Sequence, residues 1–303
     1  PGSKYFKTLN CGTGSMRHVY AWAGHDTSEE LLLGLGEGVG LAYFRFKGQL
    51  PFLGGRAQPK PSFEELACSR LGVAVEAKRS SSAAAAERSL IAELVAGRPV
   101  MVQVDMGFLP YFNFGGQEYH FGGHVIVVCG YDPQSGDYLV ADREGLLDKV
   151  SAAALTAARG STYKPFPPGR AWWRFDFDRF RAPKREELMA ALATQAKGML
   201  EPPIANIGVK GIRKAAKECL AWPELLESGQ LAGTLFNLYI FINAKGGSGG
   251  GLFRFMFGRF LAEATALGAQ AAIGKLAPSF KALGDAWEET AELVQLELQP
   301  SIA

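Results

Sequence analysis

Pro183 divides the chain into two parts whose apolar residues repeat with different periods, and that change limits the fold more than any other feature. Before it, apolar residues alternate as in strands: Val100, Val102 and Val104 within Pro99 to Met106, then His124 to Tyr131, Tyr138 to Asp142, and the closing run Trp173 to Asp178. After it, five stretches carry helical spacing, 184–200, 208–222, 225–243, 251–267 and 276–298, broken by Pro202-Pro203, Pro223 and the glycine tract 246–250. At 303 residues and 48% hydrophobic the chain can bury a large core. The expected fold class is therefore α+β, with a mixed domain over residues 4–182 and a mostly α-helical domain over 183–303.

Within the first part, Cys11 lies in Leu9-Asn10-Cys11-Gly12-Thr13-Gly14-Ser15, just where a helix is predicted to start. Met16, Val19, Tyr20 and Ala23 fall on one face of that helix, and Gly24 ends it. A thiol at a helix start faces unpaired N–H groups that favour its thiolate, the form that attacks carbon. His124 opens one apolar run, and Asp142 closes the next after the turn Asp132-Pro133-Gln134-Ser135-Gly136. The order Cys, His, Asp, with a base and its orienting carboxylate on neighbouring strands, is the papain-like arrangement. The hairpin's register is not set by the sequence, and a slip of one residue would turn Asp142 to the face opposite His124. Asp142 at the start of a turn and His124 as a core histidine are the structural alternatives.

Cys68, Cys129 and Cys219 lack the glycine-rich setting and read as packing thiols. His18 and His25 flank the first helix without any recognised ligand spacing, so neither a metal nor another cofactor is expected. Lys plus Arg at 32 against Asp plus Glu at 30 leaves no broad surface for nucleic acid. The most apolar stretch, Leu235 to Ile242, is too short to cross a bilayer, and the irregularly spaced cysteines read as reduced thiols. A cytoplasmic enzyme that binds neither membrane nor nucleic acid is the expectation. The oligomeric state is not legible.

Three groups of residues together resemble the N-terminal domain of the butirosin-biosynthesis acyltransferase family: Asn10-Cys11-Gly12-Thr13 with Arg17; Ser28-Glu29-Glu30 with Gly34-Leu35-Gly36-Glu37-Gly38; and His120-Phe121, His124 to Val128 and Gly130-Tyr131-Asp132. Gly211-Ile212, Trp222, Gly250 to Arg254 and Phe260 to Ala264 resemble the helical domain of unknown function that often follows it. The resemblance implies a papain-like domain in which Cys11 is the nucleophile, His124 the base and Asp142 its orienter. It also implies an acyl group arriving as a thioester on a carrier protein and leaving on a small-molecule amine. Two positions depart from the pattern: Asn10 stands where a histidine commonly precedes the cysteine, and residues 1–10 contain no glutamine to act as oxyanion donor. The Cys11 N–H and the Asn10 side chain are the candidates for that role. Asp105, Glu37 and Glu118 are candidate holders of a cationic amine, His120 is a second-choice base, and Arg254 beside the glycine tract is a candidate anion contact. A cysteine peptidase or amidase would use the same triad, and a non-catalytic binding protein could keep the same fold.

Overall fold

A computed structural model describes residues 5–55, 61–114 and 118–298. In chain order it contains α1 (Cys11–Trp22), α2 (Glu29–Leu35), β1 (Ala42–Phe44), β2 (Phe52–Gly54), α3 (Phe63–Arg70), β3 (Ala74–Arg79), α4 (Ala83–Val95), β4 (Val100–Val104), β5 (His124–Asp132), β6 (Asp137–Ala141), β7 (Leu147–Ser151), α5 (Ala152–Gly160) and β8 (Ala171–Asp176). Helices follow: α6 (Arg185–Leu200), α7 (Gly208–Glu218), α8 (Trp222–Leu225), α9 (Ser228–Ile242), α10 (Arg254–Ala266), α11 (Ala271–Gly274) and α12 (Ala277–Leu298). The fold is α+β with a helical C-terminal region.

The chain forms two compact units, one built from the residues up to Glu29 with Val73–Arg179, the other from Glu30–Gly72 with Phe180 onward. This corrects the expected division at 182/183. Residues 30–72 pack with the helical part because their partners lie there: Tyr43 N–H donates to the Asn206 carbonyl at 2.8 Å, Gly208 N–H to the Leu41 carbonyl at 2.9 Å, and Gln195 Oε1 accepts from Val39 N–H at 2.9 Å.

The first unit is a six-stranded antiparallel sheet in the order β3-β8-β4-β5-β6-β7. Val100, Val102 and Val104 of β4, Ile126 and Val128 of β5, and Tyr138 and Val140 of β6 share one core with Leu90 of α4 and with Leu155 and Ala158 of α5. The alternate residues Met101, Val125 and Val127 are also buried, and α1 packs on β5 through a face that includes Met16, Val19 and Tyr20. Both faces of the central strands are thus covered, which is why those strands read as continuous apolar runs.

In the second unit β1 and β2 form a short hairpin, and α10 and α12 pack along each other. Gly34 of α2 lacks a Cβ where the buried Phe260 ring lies, a Cβ there falling 2.3 Å from ring carbons. Ser62 and Glu65 form a capping box at the start of α3. Thr27 and Glu30 have the same spacing, but α2 begins at Glu29, and Glu30 pairs with Arg259 at 2.7 Å. Among the described residues no helix is long and apolar enough to cross a membrane.

Candidate active site

Cys11 is the first residue of α1, and the sequence before it explains its placement. Asn10 is extended, and its side-chain oxygen accepts from Gly12 N–H at 3.0 Å and Thr13 N–H at 3.1 Å, a side-chain cap on the helix. Gly14 is required because Thr8 packs on it, an added Cβ meeting Thr8 Oγ1 at 2.4 Å. Ser15 Oγ donates to the Val125 carbonyl at 3.2 Å and ties the first turn to β5. The oxygen of the Asn10 side chain is therefore committed to capping. Only the Nδ2 end of Asn10 has donors to offer an oxyanion.

Glu29 was not singled out for this site by sequence, yet it organises the approach to Cys11. It is 2% exposed; Oε1 accepts from Leu9 N–H at 2.8 Å, and Oε2 accepts from Asn10 N–H at 3.1 Å and Thr13 Oγ1 at 2.7 Å. One carboxylate thus holds the chain on both sides of Cys11. Glu29→Ala leaves two main-chain donors without their acceptor, at about 1–3 kcal/mol each. The expected result is a lower melting temperature and at least about tenfold slower alkylation of Cys11, with partial rescue in Glu29→Gln, which restores one acceptor. Melting and iodoacetamide kinetics on the three proteins check this; a Glu29→Ala variant that alkylates at the parent rate would remove Glu29 from the positioning of Cys11.

His124 begins β5, directly across from Val104. Its Nε2 lies 2.7 Å from Asp142 Oδ2, and Cys11 is its other side-chain hydrogen-bond partner, which assigns Nδ1 to the thiol. Both members of the His–Asp pair are buried. Asp142 accepts further hydrogen bonds from Tyr111 OH at 3.0 Å and Arg143 N–H at 2.8 Å. The Phe112 ring meets His124 edge-on at 5.5 Å between centroids. Burial by itself pushes the His124 pKa down, but the Asp142 charge and hydrogen bond, together with those from Cys11, outweigh it and hold the value up at about 10. Asp142 is held below the ordinary carboxylate range: burial works against ionisation, and the imidazolium and the donors from Arg143 and Tyr111 prevail. The imidazolium is the favoured form of His124 at neutral pH, beside a thiol at a helix start.

The alignment of this pair depends on one irregularity. Near the turn Gly130 pairs with Leu139, but beyond Cys129 the register shifts so that Val128 pairs with Val140 and Val127 with Ala141. Continued, the shifted register sets Asp142 opposite Ile126 and on the His124 face. Without the bulge Asp142 would oppose Val127 and point the other way.

The remaining candidates are placed elsewhere. Asp105 is fully buried, with Oδ1 accepting from Gly107 N–H at 3.0 Å and Phe121 N–H at 3.1 Å, and Oδ2 accepting from Ser161 Oγ at 2.6 Å and facing His120 Nδ1 at 3.0 Å. It pins the segment that brings Tyr111 and Phe112 to the His–Asp pair, and it has no open face for an amine. The second nitrogen of His120 faces Glu118 at 3.3 Å, and its ring stacks on Tyr163, so this histidine belongs to a separate network rather than to Cys11. Glu37 pairs with Arg70 in the second unit. Arg254, also of the second unit, is buried, and its Nη1 donates to the Gly40 carbonyl at 3.3 Å and the Leu252 carbonyl at 2.5 Å, the role of an internal brace rather than an open anion contact. Cys68 is wholly buried, and burial pushes the Cys129 thiol up to about 11 and the Cys219 thiol up as well. Among the described residues no three His, Cys, Asp or Glu side chains cluster as metal ligands do.

Residues 10–143 match the family model described as "Butirosin biosynthesis protein H, N-terminal", and residues 153–299 match the "Domain of unknown function (DUF4872)". No curated protein matches the chain significantly. Among solved structures the chain is similar to the peptidase domain of Streptococcus ComA, a bi-functional ABC transporter involved in a quorum-sensing pathway, at 14% identity and a TM-score of 0.36, over 60% of this chain and 100% of that one. The chain thus carries, in order, a segment similar to the N-terminal part of butirosin biosynthesis protein H and a segment similar to that domain of unknown function.

Proposed function

We propose that the protein is a cysteine-dependent acyltransferase that moves an acyl group from a carrier-protein thioester to a small-molecule amine. The observation that carries this reading is the buried His124–Asp142 pair with Cys11 on the remaining ring nitrogen. The Cys11 thiolate attacks the thioester carbonyl, and collapse of the tetrahedral adduct expels the donor thiolate, which takes the proton from His124. Neutral His124 then accepts a proton from the amine as its nitrogen attacks the acyl-enzyme, and Cys11 leaves as thiolate, so the product is an amide and the imidazolium is restored. Asp142 keeps Nδ1 pointed at sulfur throughout. The family's link to butirosin biosynthesis supports small-molecule assembly over protein turnover. The chemistry requires neither a metal nor an organic cofactor.

Intact-mass measurement after mixing with acyl thioesters tests the proposal. The expected result is one acyl adduct in the parent protein and none in Cys11→Ala, with the adduct discharged by an amine to give amide in excess of free acid. Discharge to free acid alone, at a rate indifferent to amines, would make the protein a hydrolase and end the transfer reading.

A further inference from the structure

The second unit contains an open cleft of about 810 Å³ whose lining includes neither Cys11 nor its partners. Its walls are the segment between β1 and β2, the side of α7 that carries Lys214 and Glu218, and residues around Leu225. Phe46, Leu50 and Leu225 are 57%, 43% and 51% exposed, so apolar surface faces the cleft unburied. Arg45 and Lys47 stand beside them, both exposed. The one carboxylate in the lining is already engaged: Glu218 accepts from Tyr43 OH at 2.9 Å and lies 3.9 Å from Lys214 Nζ.

The positive charge continues outward from the cleft along α7. Lys210, Arg213, Lys214 and Lys217 are spaced i, i+3, i+4 and i+7, which puts them on one face of the helix. Lys210, Arg213 and Lys217 are exposed, and among the described residues none of these three, nor Arg45 or Lys47, has a carboxylate partner. The whole chain carries a formal charge of only +2, so this is a local concentration. An apolar centre edged by unpaired cations is the anatomy of a protein interface, and the local excess of positive charge selects an acidic partner. The apolar residues line a concavity, which admits a helix or side chains of another protein but not a flat bilayer. The basic face of an 11-residue helix gives little footprint for a nucleic-acid duplex.

We propose that this cleft docks an acidic, helix-presenting protein, and, resting on the acyl-transfer reading above, that the partner is the carrier protein bearing the donor thioester. Lys210→Glu, Arg213→Glu and Lys217→Glu combined reverse the rim charge without touching a buried group. The test compares Cys11 acylation by carrier proteins encoded in the same genome with acylation by the same acyl group on free pantetheine. The triple variant is expected to raise KM for the carrier-borne donor by about tenfold or more with kcat retained, and to flatten its salt dependence, while KM for the pantetheine thioester moves less than about twofold. Equal changes for both donors, or none for either, overturn the docking site. So does a parent protein that binds anionic vesicles or duplex DNA in preference to every carrier protein. If no thioester acylates Cys11 the acyl-transfer reading fails, and calorimetric titration of Cys11→Ala and its triple-charge variant with the carrier proteins then decides docking alone: salt-sensitive binding lost in the triple variant sustains it, and no binding ends it.

Discussion

An Asp142→Asn variant will lose about a thousand- to ten-thousandfold in turnover while melting close to the parent. Arg143 N–H donates to Oδ1, so the asparagine must keep its oxygen there and place its NH2 where Oδ2 now faces His124 Nε2 and Tyr111 OH. An amide that donates to Nε2 fixes the ring proton on Nδ1, the nitrogen assigned to Cys11, and a protonated Nδ1 in a neutral ring cannot receive the thiol's proton. The pH dependence follows in sign. The carboxylate raises the His124 pKa to about 10, so the imidazolium that supports the thiolate persists through neutral pH and is lost only as pH rises through that value. Without the carboxylate the pKa falls, the thiolate–imidazolium pair is less favoured, and the acid limb of Cys11 alkylation, which follows thiolate formation, moves toward higher pH. Iodoacetamide rates measured from acid to alkaline pH check this. An unmoved acid limb would show that Asp142 does not set the protonation of His124.

The second large effect falls on stability. Gly251 has φ +55, and an added Cβ would lie 2.4 Å from Gly284 Cα and 2.9 Å from the Gly284 carbonyl oxygen. Both neighbours are main chain of α12, so no side chain can turn away. The left-handed conformation costs a non-glycine residue about 1–2 kcal/mol and overpacking about 1–3 more, which in sum is a large part of the 5–15 kcal/mol that an ordinary domain possesses. Gly251→Ala is therefore expected to lower the denaturant midpoint of the second unit sharply. Gly198 of α6 has nothing within 4 Å of its Cβ position, and Gly198→Ala is expected to gain about 0.5–1 kcal/mol instead. Denaturation followed by the tryptophans of each variant separates the two; a Gly251→Ala midpoint equal to the parent's would mean that the contact with α12 relaxes without cost.

How much of this was legible in the sequence depended on whether the signal was local. The helix start at Cys11 is local, as are the turn at Asp132 to Gly136 and the valine runs of β4 and β5, and each is found where its pattern placed it. β3 and β7 gave no such signal because they are the sheet's two edge strands, largely solvated, with little apolar alternation to read. The bulge at Cys129 could not be read, since a single inserted residue leaves both strands' patterns intact while reversing the face on which Asp142 stands. Glu29 and Tyr111 escaped for a related reason: a carboxylate that collects main-chain donors and a hydroxyl that supports an aspartate look like surface residues until the chain is folded. Asp105 and Arg254 misled in the opposite sense, being polar groups in glycine- and aromatic-rich surroundings whose hydrogen bonds are all spent within their own units.

The passage of the chain between its two units, after Glu29, after Gly72 and again after Arg179, bears on how the protein is made. The first unit is complete on the ribosome once Arg179 has emerged. Glu30–Gly72 emerges earlier, meets Gln195, Asn206 and Gly208 only as α6 and α7 follow, and has Phe260 to cover Gly34 only when α10 has been synthesised. At about 5–20 residues per second that interval is on the order of ten seconds or more, during which an apolar segment stays unsheltered. Translational pausing beyond Arg179 is therefore the point at which the yield of this protein is most exposed to aggregation. A chain ending at Ala182 would strand the same segment permanently.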